Sequence, residues 1–157
     1  MNIAIIDKFY QNHHAFSRQL KFPDHLTTYL DSLLTLSFTK YDLIHFDWCD
    51  DLAVAYTKAC DGMFDRPRIT VRLHAYEVHE DWINQINWKV VDALIFVSQH
   101  YQDIFNRKIN FSADKQHVVH HGVDLNRYQL SKHHGFGILY VGSINFKKGP
   151  QLLAQVA

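Results

Sequence analysis

The sequence predicts an α/β fold, a Rossmann-like and mainly parallel sheet with helices on both faces. Short apolar runs rich in β-branched residues alternate along the chain with segments of helical periodicity. Several of these runs are apolar throughout, which is typical of strands buried on both faces of a parallel sheet. A length of 157 residues suits about one domain with a substantial core.

Composition excludes several classes of protein. The 16 Lys and Arg residues balance the 16 Asp and Glu residues, so no overall field draws nucleic acid. No apolar run reaches the roughly 20 residues of a membrane span, and the first residues lack the basic region of a signal peptide. Two cysteines form no disulfide framework. We therefore expect a cytoplasmic protein without a transmembrane segment, whose composition still permits peripheral membrane contact.

Five strands are predicted at compact apolar runs, namely residues 3–6, 43–46, 69–73, 93–97 and 118–120. Between the first two strands, apolar residues at helical spacing from 26 to 34 predict a helix, and no further strand. Asp50 or Asp51 is expected to cap a helix through Asp61, with Gly62 as its stop. Another helix is predicted from near Glu80 to residue 91, and Ser98 is expected to cap a shorter one.

Polar residues follow several of these strands. They occupy positions 45–48, 74–77, 98 and 121–124. Because the carboxyl ends of parallel strands meet at one edge, where ligands of such sheets bind, we expect these positions to share one rim. No glycine occurs before Lys40, which argues against a glycine fingerprint for NAD or FAD.

The end of the chain has the pattern of a phosphate-binding element. An apolar run at 138–141 predicts a strand, and the turn after it contains Gly142, Ser143 and Lys148. Pro150 is then suited to the first position of a helix. A strand, a glycine turn and a helix start can present backbone N–H groups and a cation to a phosphate.

Four stretches of the sequence follow one another in the order that a known protein family shows. They are TVRLHAYEV at 70–78, VDALIFVSQHYQDIF at 91–105, VVHHGVDLNRY at 118–128 and GILYVGSINFKKG at 137–149. Together they resemble retaining glycosyltransferases of family 4, which have the GT-B fold. The resemblance implies an acceptor domain at 1–130, a linker at 131–136 and the beginning of a donor domain at 137–157. It also implies an acceptor domain trimmed of two early strands.

The same resemblance implies a hexosyltransferase that moves a sugar from a nucleotide sugar to a sugar, lipid-linked or small-molecule acceptor, without a cofactor or a metal ion. His74 matches the family's catalytic histidine. The implied acceptor cleft consists of His74, Ser98, His121, Gly122 and Asp124. The implied donor-phosphate site consists of Lys148, Ser143 and Gly142.

An alternative class of function stays open, because Ser143 stands where the family has an arginine, and a serine neutralises no charge. A degenerate, non-catalytic module that binds a ligand or a partner would tolerate this change. An alternative interpretation of Lys148 is an ordinary solvated turn lysine, and an alternative interpretation of His74 is a hydrogen-bonded core histidine. We expect this chain alone to be inactive in glycosyl transfer, and its apolar tail to permit self-association.

Overall fold

The structure is a computed structural model that describes residues 1–6, 26–30, 40–122, 140–142 and 144–156. The chain divides into two compact units, residues 1–122 and residues 123–157. The predicted linker at 131–136 lies outside the described residues, so the predicted domain limits stay predictions. No helix within the described ranges is long and apolar enough to cross a membrane.

The first unit contains a parallel sheet. Within the described residues its strands are β1 (Asn2–Ile6), β2 (Leu26–Leu30), β3 (Leu43–Phe46), β4 (Arg68–Leu73), β5 (Ala93–Phe96) and β6 (Gln116–Val118). They lie in the order β2-β1-β3-β4-β5-β6, and every neighbouring pair is parallel. This arrangement confirms the predicted Rossmann-like α/β class. The order changes direction between β1 and β3, as in sheets whose ligands bind beyond the strand carboxyl ends.

The described helices follow the strands. They are α1 (Asp51–Ala59), α2 (Trp82–Gln85), α3 (Gln99–Asn106) and, in the second unit, α4 (Pro150–Val156). Helix α1 begins as predicted, because an Asp50 carboxylate oxygen accepts hydrogen bonds from the Leu52 and Ala53 amides at 3.0 and 3.3 Å. After α1 the chain reverses at Gly62, whose φ of 73° is the left-handed conformation that favours glycine.

The core lies on one face of the sheet. Alternate residues of the strands are fully buried there, among them Ile44, Phe46, Ile69, Val71, Leu73, Leu94 and Phe96. Helices α1 and α3 contact this face, with Tyr56 5.5 Å from Phe46 and Phe105 5.3 Å from Phe96 between ring centroids. On the opposite face of the same strands, His45, Thr70 and Arg72 are less completely buried. The second face therefore supplies polar groups beside the strand ends.

The prediction of a helix at 26–34 is wrong for residues 26–30, and residues 31–34 lie outside the described residues. Residues 26–30 form β2, with Ile5 of β1 in register with Tyr29. The apolar residues at 26, 29 and 30 match a helical period, but Thr27, Thr28 and Tyr29 favour strands, and pairing with β1 decides. The inference that two early strands are missing is thus wrong for one of them.

The helix predicted from residue 80 to 91 is also wrong, because the segment is broken. Short 3₁₀ turns at Glu77–His79 and Trp88–Val90 flank the four-residue α2. The Asn87 side chain accepts a hydrogen bond from the Lys89 amide, a local bond that competes with helical pairing. The strand predicted at 118–120 corresponds to β6, which lies two residues earlier, at Gln116–Val118. The polar residues Gln116 and His117 obscure its apolar pattern.

The second unit contains a turn and a short helix. Of the predicted strand at 138–141, residues 138 and 139 lie outside the described residues, and Tyr140 and Val141 are not in a strand. A 3₁₀ turn at Phe146–Lys148 ends at Gly149, whose φ is 69°. Helix α4 then begins at Pro150, as predicted.

Candidate functional site

Five side chains meet where the parallel strands end. Asp47 and Trp48 follow β3, Arg72 is the penultimate residue of β4, His74 follows β4, and His121 lies shortly after β6. We call these five residues the rim cluster. Parallel strands place their carboxyl ends at one edge, which is why residues so distant in sequence come together. The structure thus brings two of the residues predicted from sequence, His74 and His121, into contact at 5.4 Å between ring centroids.

His74 is fixed by two contacts from the end of β3. Its ring stacks on the Trp48 indole, 4.1 Å between centroids with an angle of 18° between planes. Its Nε2 lies 2.9 Å from the Asp47 carbonyl oxygen, which can only accept, so Nε2 carries a proton. Burial lowers the pKa of His74 against the opposing charge of Asp47, so the ring is neutral near pH 7. A neutral ring protonated at Nε2 has a lone pair on Nδ1.

Asp47 is paired with Arg72 and lies near His45 on the same side of the sheet. An oxygen of its carboxylate lies 3.2 Å from Arg72 Nη1 and 3.7 Å from His45 Nε2. Burial alone would raise the pKa of Asp47, but its interactions with His45 and the positive charge of Arg72 outweigh burial and lower the pKa. Asp47 is therefore a carboxylate at neutral pH. His45 is itself oriented by Thr70, whose Oγ1 lies 2.8 Å from His45 Nδ1.

His121 is the second histidine of the rim cluster. The Arg72 guanidinium donates a hydrogen bond from Nη2 to His121 Nδ1 at 3.1 Å. His121 is exposed, and the partial burial of its ring together with the positive charge of Arg72 lowers its pKa. An imidazole nitrogen that accepts from a guanidinium carries no proton, so the proton of neutral His121 lies on Nε2.

Glu77 is a buried residue that holds the loops of the rim cluster through hydrogen bonds. This carboxyl group is 1 % exposed, and it accepts hydrogen bonds from the Cys49 amide at 2.9 Å and the His74 amide at 2.6 Å. Burial raises the pKa of Glu77 to about 8, against the two amide hydrogen bonds, which lower it. Glu77 thus joins the loops after β3 and β4 without facing solvent.

The other residues predicted for the acceptor cleft differ in their surroundings. Ser98 follows β5 at the start of α3, but its side chain makes no capping hydrogen bond, and its buried Oγ has no partner among the described residues. Gly122 is exposed, and a Cβ built there would meet no atom within 4 Å. Asp124 lies outside the described residues.

The residues predicted for donor phosphate belong to the second unit. Lys148 is exposed at the end of the 3₁₀ turn, and its amide donates to the Asn145 side chain at 2.9 Å. At Gly142 an added Cβ would lie 3.2 Å from the Tyr140 hydroxyl. Ser143 lies outside the described residues. No group of three His, Cys, Asp or Glu side chains in the described part of the chain could hold a metal ion.

Two cavities of the first unit lie away from the rim cluster. A groove of about 560 Å³ is lined by Tyr41, Asp42, Arg66 and Arg68, at the amino ends of β3 and β4. Another of about 500 Å³ lies between the end of α3 and the start of β6. Neither contains a residue of the rim cluster, and neither combines neutral histidines with aromatic faces. We therefore place the candidate site at the opposite, carboxyl edge.

Among the important side chains, Arg72 was not predicted from sequence, whereas Asp47, Trp48 and Glu77 were expected to share the rim but were not predicted as site residues. A signal existed for Arg72, because it is a charged residue inside an otherwise apolar strand close to the carboxyl end. Glu77 follows the predicted catalytic histidine by three residues, a spacing that allows its carboxylate to reach back to the His74 amide. The stacking of Trp48 depends on contact between two strand ends and leaves no mark on the local sequence.

Comparison with known proteins identifies the family. The model of Glycosyltransferase Family 4 matches residues 2–127 of the 157, from β1 through β6 and including the whole rim cluster. No curated protein and no solved structure matched the chain. Because the family model covers well over half of the sequence, the chain belongs to glycosyltransferase family 4.

Proposed function

We propose that the first unit is the acceptor-binding part of a sugar transferase, with the rim cluster as its acceptor cleft. The donor is a nucleotide sugar, and the acceptor is a sugar, a lipid-linked sugar or a small molecule with a reactive hydroxyl group. The observation that carries the proposal is the neutral His74 at the end of β4, inside the region matched by the family model. The family resemblance extends the proposal to retention of the anomeric configuration.

The chemistry of the rim cluster suits a hydroxyl group. A transferred sugar needs an acceptor oxygen whose proton has somewhere to go, and the lone pair on His74 Nδ1 can accept that hydrogen bond. A histidine that stayed protonated near pH 7 would lack this lone pair. Stacking on Trp48 and the Nε2 hydrogen bond to the Asp47 carbonyl fix the ring in one plane, so its lone pair has a fixed direction.

Aromatic surface lies beside the histidine. Tyr76 is 45 % exposed, and its ring centroid lies 6.0 Å from that of Trp48. Sugars present both hydroxyl groups and C–H faces, so a cleft that combines hydrogen-bonding histidines with aromatic rings offers partners for both. The rim cluster with Tyr76 has this combination.

We propose that donor phosphate contacts Gly142, Ser143 and Lys148 of the second unit. Backbone N–H groups of a turn and the Lys148 ammonium are suitable partners for a diphosphate, whose charge grows as the sugar leaves. Only one of these three side chains is a cation. We therefore also propose that the chain alone binds nucleotide weakly and transfers no sugar.

A second candidate function is a non-catalytic module that binds a saccharide or another ligand at the rim cluster. Ser143 favours it, because the family's second cation is replaced by a neutral hydroxyl. The two candidates share the acceptor cleft and differ in turnover. Release of nucleotide that depends on an acceptor would favour the enzyme.

The acceptor cleft can be tested by NMR titration of the 157-residue chain with mono- and disaccharides. We expect at least one sugar to shift the resonances of Trp48, His74 and His121. His74→Gln should lower the affinity for that sugar by about tenfold, the equivalent of about 1.4 kcal/mol, because one hydrogen bond is lost. His117→Gln is the matched control, since His117 is an exposed histidine on β6 outside the cluster. Shifts confined to the grooves at the amino edge would contradict the proposed cleft.

A further inference from the structure

Arg72 occupies an unusual position for an arginine. It lies in β4, where it is in register with Ile95 of β5, and its side chain is only 12 % exposed. Its guanidinium nevertheless reaches the ends of two other strands. Nη1 donates to the Asp47 carboxylate after β3 at 3.2 Å, and Nη2 donates to His121 Nδ1 after β6 at 3.1 Å. One side chain therefore links three strand ends around His74.

The two contacts have different consequences. Asp47 neutralises the guanidinium and holds it in place, as expected of a charge-assisted hydrogen bond. His121 receives an N–H at Nδ1, so its own proton must lie on Nε2, and protonating Nδ1 would place two cations in contact. The other titratable groups near this pair are His45, which contacts Asp47, and His74, whose ring lies beside that of His121.

We propose that Arg72 is a positioning residue, which keeps His121 neutral with its proton on Nε2 so that His121 donates a hydrogen bond to a sugar hydroxyl. The inference rests on the proposed acceptor cleft and adds a residue and a ligand chemistry to it. Arg72 acts through His121 and needs no contact with substrate. A lysine could supply the charge but lacks the planar fork that reaches two acceptors at once.

The pair of histidines then has complementary hydrogen-bonding groups. His74 has a lone pair on Nδ1, His121 has an N–H at Nε2, and the two ring centroids are 5.4 Å apart. A hydroxyl group both donates and accepts, so one hydroxyl can satisfy both rings. A carboxylate or a fully ionised phosphate can only accept, and it would leave the lone pair of His74 without a donor. The pair therefore favours neutral, hydroxyl-bearing ligands such as sugars.

Nitrogen NMR of the ¹⁵N-labelled chain tests the action of Arg72 without any substrate. In the wild-type chain we expect His121 Nδ1 to be unprotonated and shifted by an accepted hydrogen bond, with the proton on Nε2. Arg72→Met should remove the shift at Nδ1 and raise the pKa of His121, because a cation in contact is lost. Arg68→Met is the matched control, since Arg68 is an exposed arginine at the other end of β4.

Four outcomes decide for or against the inference. A proton on Nδ1 of His121 in the wild-type chain would overturn it, even if Arg72→Met failed to fold. An unchanged pKa and Nδ1 shift in folded Arg72→Met would overturn it as well. If both effects appear and a bound sugar perturbs His121 Nε2 in the wild-type chain, the inference is supported. If both effects appear but no sugar binds, the proposed acceptor cleft is contradicted while the action of Arg72 on His121 stands.

Discussion

Glu77 is a single carboxyl group whose environment affects the stability of the whole first unit. Its two oxygens accept the Cys49 and His74 amides, so it fixes the loops that carry Trp48 and His74. Removing such a group leaves two inward-facing N–H groups without acceptors, at about 1–3 kcal/mol each. The same burial that makes it important also makes it sensitive to pH.

We predict that Glu77 lowers the stability of the folded chain as the pH rises. Its pKa is about 8 in the folded chain, compared with the usual 4.5, so the folded chain keeps this proton where the unfolded chain loses it. The stabilising contribution is fully present below about pH 4.5 and is lost as the pH approaches 8. Relative to Glu77→Gln, the wild-type chain should lose up to about 5 kcal/mol across this range.

Urea denaturation of both chains at several pH values measures this difference. Glu80→Gln is the control, because Glu80 is an exposed glutamate three residues further on, and its curve should run parallel to that of the wild-type chain. Parallel curves for Glu77→Gln and wild type would show that the carboxyl group titrates normally in the fold.

For single residues, the sequence predicted roles that depend only on the position of the residue along a helix or strand. Asp50 or Asp51 was expected to cap α1, and Asp50 does. His74 and His121 were expected at one edge, and their rings are in contact. Arg72 and Glu77 act across strands or back along a loop. Their partners depend on how far a side chain reaches once the sheet has formed, which a linear pattern does not encode.

Among the elements, α3 is attached to the sheet mainly through Phe105. This ring is fully buried and lies 5.3 Å from Phe96 of β5 and 5.1 Å from Trp88, both edge-on. The chain offers a contrast in Phe64, which is fully exposed in the loop before β4. The two phenylalanines therefore separate the effect of burial from the effect of residue type.

We predict that Phe105→Ala destabilises the folded chain by about 3–5 kcal/mol, because it removes a large buried side chain and leaves a cavity between α3 and the sheet. Phe64→Ala should change the stability by less than about 0.5 kcal/mol. Chemical denaturation followed by tryptophan fluorescence measures both. A similar loss in the two variants would mean that Phe64 is covered in solution.

Elements were predictable where local signals and long-range pairing agree. Helix α1 has both a capping aspartate and a stop glycine, and its limits were nearly correct. Strand β2 was missed, because the spacing of Leu26, Tyr29 and Leu30 fits a helix equally well, and only pairing with β1 decides. The helix expected over 80–91 failed where Ile86 takes an extended conformation, with ψ of 135°.

For the whole molecule, the parallel sheet follows from alternating strands and helices, because parallel neighbours need a crossover between them. The strand order was not predictable, since β2 adds to the far side of β1 only through backbone pairing. Family membership was predictable because four motifs keep their order over most of the chain. Two of those motifs include the ends of β4 and β6, which contribute Arg72, His74 and His121 to the rim cluster.

We predict that the chain binds nucleotide sugars no better than millimolar, and that Lys148→Ala barely changes the affinity. Lys148 is exposed, and an exposed ion pair contributes at most about 1 kcal/mol. Binding near 100 µM requires about 5–6 kcal/mol. Calorimetry with UDP, GDP and ADP sugars measures the affinity, and Lys58→Ala is the control for general loss of positive charge, since Lys58 is exposed on α1. Micromolar binding, or nucleotide release that depends on an acceptor, would contradict the prediction.

The short strand β6 has a consequence for ligand binding at the proposed acceptor cleft. Among the described strands, it is three residues long and borders only β5, and it precedes His121. Edge segments with few partners open by local unfolding far more often than central strands. Each opening would withdraw His121 from Arg72 and leave only His74 in place. The apparent affinity for a sugar is then the intrinsic affinity multiplied by the fraction of time that β6 is attached. A substitution that stabilises the pairing of β6 with β5 would therefore tighten binding without adding a contact.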